Sequence, residues 1–340
     1  RDTTMALDSF SLYCMAPYLR DRFEGRRVRD VGQVSPHETV IRFQRRGDEE
    51  SGPCILVSSH PTHARVHTTG RFPKSKTRTH FADVLFHHLG RCELKAIEQV
   101  GLDRILTLTF GPPPGWMGED RGERRLVAEM MGKHSNLILV NEATERIVDA
   151  SKHVDESRNR HREILPGVTY VAPPDDDRPD PFEVTRDDLA RLLSGVSEDP
   201  LWRQLMSGIG GSSPAFARAL LDATPDPSDI DSLWATYSER IAAITDGDVQ
   251  PSVTYASDEP AAKALSHGLF PSEPLDPAAR VVAYDTVNDA IAAYHDRLLV
   301  HEALSQQRQR IAQALTKREE AILRKRDALE GDLSLAAEAD

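Results

Sequence analysis

The sequence predicts an α+β chain of more than one domain. Three observations carry that reading. Short runs of branched residues alternate with Gly- and Pro-rich turns through the first half of the chain. The acidic, proline-rich stretch DDDRPDP at 175–181 marks a linker. From Thr286 a heptad-like apolar pattern then runs without Pro or Gly until Gly331. A chain of 340 residues is also longer than one ordinary core supports.

In order, residues 7–23 have helical spacing of apolar groups, with Asp8 near the start. Residues 26–34, 39–45 and 54–59 read as strands, separated by turns at Gly47 and Gly52. A helix is predicted at 81–89, a strand at 94–100, and a second strand at 103–110 with period-two alternation. Residues 111–115, GPPPG, break that strand ahead of an expected central helix, which ends at Gly132. Leu126, Val127, Met130 and Met131 supply the apolar side of that helix. Leu137 to Val140 has the length and branching of a buried strand, and 146–153 closes the sheet. Beyond the linker, two or three helices are expected over 182–250, a connecting segment over 251–285, and one long helix over 286–335. Along that helix Leu298, Leu304, Ile311, Leu315, Ile322 and Leu329 recur at separations built from threes, fours and sevens, the spacing of a coiled-coil arm.

The formal net charge of −12 is unevenly placed. Residues 1–170 hold 26 Lys and Arg against 23 Asp and Glu, whereas the remainder holds 16 against 31. Basic clusters lie at 20–29, 71–80 and 152–162; on the residues alone they read as solvated surface or as an RNA contact, so the acidic total does not exclude a nucleic-acid partner for the first domain. Cys14, Cys54 and Cys92 are odd in number and widely spaced, which argues for a reducing compartment and against a disulfide framework. There is no apolar run long enough to span a membrane and no secretory segment, so a cytoplasmic protein with no membrane partner is expected.

For chemistry, the pinned polar loop Lys133-His134-Ser135-Asn136 is one candidate binding site; that Ser135 and Asn136 only satisfy backbone groups stays open on the residues alone. Asp103-Arg104 is another, one residue anchoring the fold and the other reaching a ligand, with a structural salt bridge for Arg104 as the alternative. Gly208-Ile209-Gly210 before a helix resembles a helix-hairpin-helix turn whose N–H groups can face phosphate; the alternative is a glycine turn between packed helices. Three histidines in residues 58–67, SHPTHARVH, lack a nearby carboxylate or thiolate, so no metal is expected. No nucleophile elbow, Walker loop, dinucleotide fingerprint or zincin helix occurs, and neither an enzyme activity nor a cofactor is expected.

Residues 129–140, EMMGKHSNLILV, resemble the E-[LIM]-[IM]-G-[RK]-H-S-N-[IL]-[IL]-L signature of the NFACT family, which includes bacterial RqcH, fibronectin-binding protein A and eukaryotic NEMF. Residues 99–110 (QVGLDRILTLTF), Lys152-His153-Val154 and 164–174 (ILPGVTYVAPP) agree in order and spacing. The resemblance implies an NFACT-N domain over 5–174 with a fold like that of formamidopyrimidine-DNA glycosylases. It further implies a helix-hairpin-helix domain over 182–250 and the first coiled-coil helix over 286–335, the return helix and NFACT-R domain being absent from this sequence. His87-His88 stands where relatives carry a basic pair. The N-terminal Pro-Glu pair of the glycosylases has no counterpart in Arg1-Asp2-Thr3, and that activity is not expected.

What the resemblance implies for function is a ribosome-associated quality-control factor. Its partners would be a large ribosomal subunit obstructed by peptidyl-tRNA, and alanyl-tRNA for template-free C-terminal tailing. The tRNA-binding residues it implies are Asp8, Asp103, Arg104, Glu129, Met130, Met131, Gly132, Lys133, His134, Ser135 and Asn136, with Gly208 and Gly210 as a phosphate-binding hairpin. In that role His134 stacks on a base and Asn136 reads a base edge. The alternative is a fibronectin-binding surface adhesin.

Overall fold

Helix α1 (Ser9–Phe23) opens the chain, and its start is fixed by Asp8, whose Oδ1 accepts the Ser11 N–H at 2.8 Å. Such a cap is worth about 1 kcal/mol. The computed structural model describes residues 7–44, 52–73, 79–115, 122–157, 162–174, 177–194, 198–259, 261–274 and 276–337, and side chains as far as 331. The expected turn at Gly47, and parts of the basic clusters at 71–80 and 152–162 and of the linker, lie outside them.

Strands β1 (Val28–Ser35), β2 (Glu38–Phe43), β3 (Cys54–Ser58) and β4 (Arg65–Thr69) form an antiparallel sheet in sequence order. After helix α2 (His80–Leu89), strands β5 (Glu93–Gln99), β6 (Ile105–Gly111), β7 (Arg124–Glu129), β8 (Asn136–Asn141) and β9 (Arg146–Ala150) make a five-stranded antiparallel meander. The main core joins Leu12, Met15, Leu19 and Phe23 of α1 to residues from both sheets, among them Ile41, Ile55, Leu108 and Leu126.

Two expectations are overturned here. The central helix ending at Gly132 is strand β7, paired with β6 and β8 on its two sides. Leu126, Ala128 and Met130 face the main core, while Val127 packs into a second cluster on the other side of the sheet, with Met131 against it. A strand buried on both faces loses its alternation, and its apolar residues then also satisfy a helical wheel. Gly132 does take positive φ, at 60°, but in a single 3-10 turn (Gly132–His134) between strands. Asp103 and Arg104 likewise do not lie on a strand. They occupy the β5–β6 turn, closed by the Asp103 N–H on the Val100 carbonyl and the Val100 N–H on the Ile105 carbonyl, both at 3.0 Å.

Four helices rather than two or three follow: α3 (Arg186–Leu193), α4 (Leu201–Gly208), α5 (Pro214–Ala223) and α6 (Ile230–Asp246). Their core of Leu205, Phe216, Leu220, Leu233 and Tyr237 also takes in Phe10 from α1. The segment expected to be a connector holds strands β10 (Ser252–Tyr255), β11 (Ala264–Gly268) and β12 (Arg280–Ala283), ordered β11-β10-β12. Each has four or five residues, and Ala, Ser, His and Gly dilute the β signal in β11.

Helix α7 (Val287–Ala337) has 51 residues, about 75 Å by helical rise. Its first turns bury Ala290, Ile291, Tyr294, His295 and Leu298, and Asn288 Oδ1 accepts the Thr68 N–H at 2.7 Å. Glu302 meets His63 Nε2 at 3.0 Å, supplying from the arm the carboxylate partner that the local histidine motif lacks. Beyond that contact the helix projects, with Leu304, Ile311, Leu315, Ile322 and Leu329 each at least half exposed.

Gly208 shows why the hairpin after α4 needs a glycine. A Cβ there would lie 2.3 and 2.7 Å from the two Leu192 methyls and 3.1 Å from its Cγ. Gly208→Ala is expected to cost about 1–2 kcal/mol, overpacking outweighing the gain in helix propensity, and thermal unfolding measures it. Unchanged stability with lost RNA affinity would return Gly208 to a binding role.

Candidate RNA-binding loop and its supports

Residues 130–136 are held from below by two saturated polar networks. Glu129, fully buried at the end of β7, receives two bonds from Arg162, Nη1 to Oε1 and Nη2 to Oε2, both at 2.6 Å. The Tyr170 hydroxyl donates to the same Oε1 at 3.0 Å. Burial alone would lower the Arg162 pKa, but its bonds to Glu129 outweigh that and raise it. The Tyr170 pKa is raised, first by burial and then by the Glu129 charge.

On the far side of the turn Asn136 is buried and fully engaged. Its Nδ2 donates to the Lys152 carbonyl at 2.8 Å, and its Oδ1 accepts from Ser151 Oγ at 2.8 Å and from the Lys152 N–H at 3.0 Å. Lys152 Nζ then donates to the carbonyls of Ser135 and Ser59, at 2.8 and 2.9 Å. Partial burial lowers the Lys152 pKa. The motif Lys152-His153-Val154 thus marks the strap that pins the loop, a role the residue types alone did not assign.

The sequence-derived site residues therefore divide. Glu129, Met130, Ser135 and Asn136 are buried and Met131 and Gly132 half-buried, whereas Lys133 and His134 are exposed. Asn136 is buried away from a base edge and satisfies backbone groups of Leu137 and Lys152, the alternative that the residues leave open. Arg104 is half-buried, and among the described residues its guanidinium makes neither an ion pair nor a hydrogen bond, contrary to the salt-bridge alternative. Its carbonyl accepts the Met130 N–H at 2.8 Å, so the Asp103-Arg104 turn and the Gly132–His134 turn are fixed to one another through the backbone.

Asp8 and the glycine hairpin lie apart from that loop. The Asp8 carboxylate also accepts from Ser213 Oγ at 2.6 Å, and Ser213 caps α5 through the Phe216 N–H at 3.1 Å. One acid thereby caps α1 and steadies the cap of α5. Three of the hairpin's N–H groups are spent internally: Ile209 on the Leu205 carbonyl at 3.1 Å, Gly210 on that of Pro179 at 2.9 Å, Ser212 on that of Ile209 at 3.4 Å. Gly208 and Gly210 thus allow close packing and present no free phosphate cradle, which favours the glycine-turn reading. Between this hairpin and the Asp103 turn opens a cleft of about 560 Å³ lined by Tyr13, Leu102, Asp103, Phe182, Gly210 and Gly211.

The match to the family model for NFACT N-terminal and middle domains runs over residues 8–340. The chain belongs to the NFACT family. Rqc2 homolog RqcH of Bacillus subtilis (strain 168) is 33% identical over 215 residues, 63% of this chain and 37% of that protein. Rqc2 homolog RqcH of Streptococcus suis (strain 05ZYH33) is 31% identical over 245 residues, 68% of this chain and 44% of that protein. The chain spans about two fifths of the length of these curated relatives. The fibrinogen binding protein from Staphylococcus aureus superposes with a TM-score of 0.69 at 22% identity, over 86% of this chain and 100% of that one. The N-terminal part of the fibronectin/fibrinogen-binding protein from Streptococcus suis gives 0.64 at 26% identity, over 85% and 98%. The α+β NFACT fold and the family resemblance are thus as the sequence predicts. No helix among the described residues is long and apolar enough to cross a membrane.

The division between buried and exposed loop residues has a direct consequence. Asn136→Ala removes several buried hydrogen bonds and should cost about 2–4 kcal/mol of stability. His134→Ala should change stability by less than about 0.5 kcal/mol. Denaturant unfolding of the two variants compares them, and equal losses would mean that His134 is also structural.

Proposed function

We propose that this chain is the tRNA-engaging part of a ribosome-associated quality-control factor of the RqcH kind. It would act on large ribosomal subunits obstructed by peptidyl-tRNA, in the cytoplasm, where alanyl-tRNA supports template-free tailing of the stalled chain. The single observation that carries the reading is the backbone bond from Met130 to Arg104. It holds Arg104, Lys133 and His134 on one rigid support while their side chains stay unengaged among the described residues. A guanidinium, an ammonium and an imidazole so arranged suit phosphate oxygens and an unstacked base. The protein's part is to position RNA; peptide transfer would be the ribosome's, and no side-chain catalyst is proposed. The names of the RqcH relatives support the quality-control class. The adhesin reading draws on the fibrinogen- and fibronectin-binding names of the structural neighbours. Co-sedimentation with large subunits against exposure on intact cells separates the two.

Arg104→Ala should weaken tRNA binding about 10- to 100-fold, the worth of one hydrogen-bonded charge contact of about 1.5–3 kcal/mol, with unfolding unchanged. Titration of tRNA alongside thermal unfolding checks both arms; lost stability with unchanged affinity would show a structural arginine.

The arm is the proposed ribosome-docking element. Because α7 is rooted in the core as far as Leu298, a cut near Val282 would strip a core element rather than remove the arm alone. A chain ending at Ser305 keeps the root and its Glu302–His63 contact. It should retain tRNA affinity and lose sedimentation with large subunits; retained sedimentation would move docking into the globular part.

A further inference from the structure

At the opposite end of α1 from its Asp8 cap, four arginines share one corner of the fold. Arg27 and Arg29 flank the buried Val28 at the start of β1, and both are exposed; the strand register shifts at Arg29, between Val28 and Asp30. Arg91 is drawn to that corner by its N–H on the Val28 carbonyl at 3.0 Å, while the Val28 N–H returns to the Cys92 carbonyl at 2.8 Å. Arg22, in the last turns of α1, lies with its guanidinium carbon 4.4 Å from the centre of the Tyr18 ring. All four are exposed, and among the described residues none makes an ion pair.

The acids of the neighbourhood are turned to other work. Glu24 accepts the Ile97 N–H at 3.0 Å and faces Arg20 at 3.7 Å. Asp30 accepts the Val31 N–H at 2.9 Å and pairs with Arg42 at 3.1 Å. Glu93, opposite Arg27 in the antiparallel bridge, gives its carboxylate to Lys95 at 2.8 Å. Asp21 is the exposed acid nearby. Concentrated unneutralised positive charge in a chain of net −12 is thus a local feature of this corner.

A second observation is independent of the charge count. Arg91 adopts a φ of +71°, a left-handed conformation that a residue with a Cβ adopts at a cost. Glycine would relax the position, yet an arginine occupies it. Strain tolerated at an exposed charged residue points to a role outside the folded core.

From this corner we infer a docking surface for the sugar-phosphate backbone of an RNA duplex, distinct from the loop at Lys133 and His134. Exposed guanidinium groups present planar forks that match phosphate oxygens. A protein partner would want an apolar anchor at the centre of such a surface. Among the described residues at 20–30 and 90–95 none is an exposed large hydrophobic. Backbone docking also needs no base readout. The inference deepens the RNA-binding reading in partner class but uses none of its residues.

The test is anisotropy titration of a labelled RNA duplex of about 20 base pairs at four salt concentrations. It compares the unaltered chain with a variant carrying Arg27→Gln, Arg29→Gln and Arg91→Gly. Loss of three phosphate contacts should lower affinity about 10- to 100-fold near 0.1 M salt and flatten the log–log salt slope by about 2–3. Thermal unfolding should show the variant at least as stable, since Arg91→Gly removes the strain. Unchanged affinity and slope would overturn the inference, and so would displacement of the RNA by polyglutamate at equal charge concentration, which would mark a surface for acidic protein. Arg104→Ala, measured on the same duplex, should leave the salt slope steeper than that of the triple variant. The two readings therefore fail separately: one on tRNA at Arg104, the other on duplex RNA at this corner.

Discussion

Everything in the globular body is referred to helix α1, because that helix is buried on two sides at once. Leu12, Met15, Leu19 and Phe23 fill the core between the two large sheets, and Phe10 enters the core of the helical domain, 4.6 Å from the Phe216 ring centre. Each such side chain contributes about 1.5–3 kcal/mol on burial, so neither domain can slide along α1 cheaply. The polar contacts set the register. Asp8 caps α1 and accepts from the Ser213 hydroxyl that caps α5, while Gln99 Nε2 bridges the carbonyls of Ser9 and Asp103 at 3.1 and 2.9 Å. The two walls of the Asp103 cleft are therefore positioned by the same helix end, one by a capping acid and one by an amide.

The candidate site follows the same logic at smaller scale. Its immobile part is expensive and hidden: a fully buried carboxylate held by Arg162 and Tyr170, and a buried amide saturated by the 151–152 strap. Buried ion pairs contribute little net stability against an apolar replacement of the same shape, though breaking one by removing a single partner is costly. What such a pair does supply here is a unique geometry for the turn above it. A ligand at Lys133 and His134 would meet a backbone that is already ordered, so less conformational entropy would be lost on binding.

The fold class, helix α1 and the long α7 were legible because each has a pattern long enough to read. Strand β7 was not, since burial on both faces erased the alternation that distinguishes a strand from a helix. The sheet of β10 to β12 was missed for another reason: its strands are short and carry few branched or aromatic residues. In the site, residue type pointed to the loop but could not divide it. Asn136 and His134 are equally polar on paper; only the 16-residue separation between Asn136 and its partner Lys152 decides that one is a strut. The Glu129–Arg162 pair, 33 residues apart, was invisible for the same reason. Long-range pairing of polar groups leaves no periodic trace in a sequence.

Charge is where local structure most changes what the sequence implies. A total of −12 argues against a polyanion, yet at physiological ionic strength a charge is felt over only about 8 Å. What a phosphate meets is the set of groups within that distance, after internal pairs have been struck out. Around Val28 the acids Glu24, Asp30 and Glu93 are occupied by a backbone amide or by a lysine or arginine neighbour, which leaves the exposed arginines there unopposed. Around Met130 the buried Glu129 is neutralised by Arg162, which leaves Lys133 and Arg104 in the same position. Of the acids beyond residue 170, Asp180 lines the cleft beside the Asp103-Arg104 turn and acts on that side. Acids that lie elsewhere act on molecules that approach elsewhere, so the imbalance that hides the positive corners in the total charge would favour a nucleic acid at them over the rest of the surface.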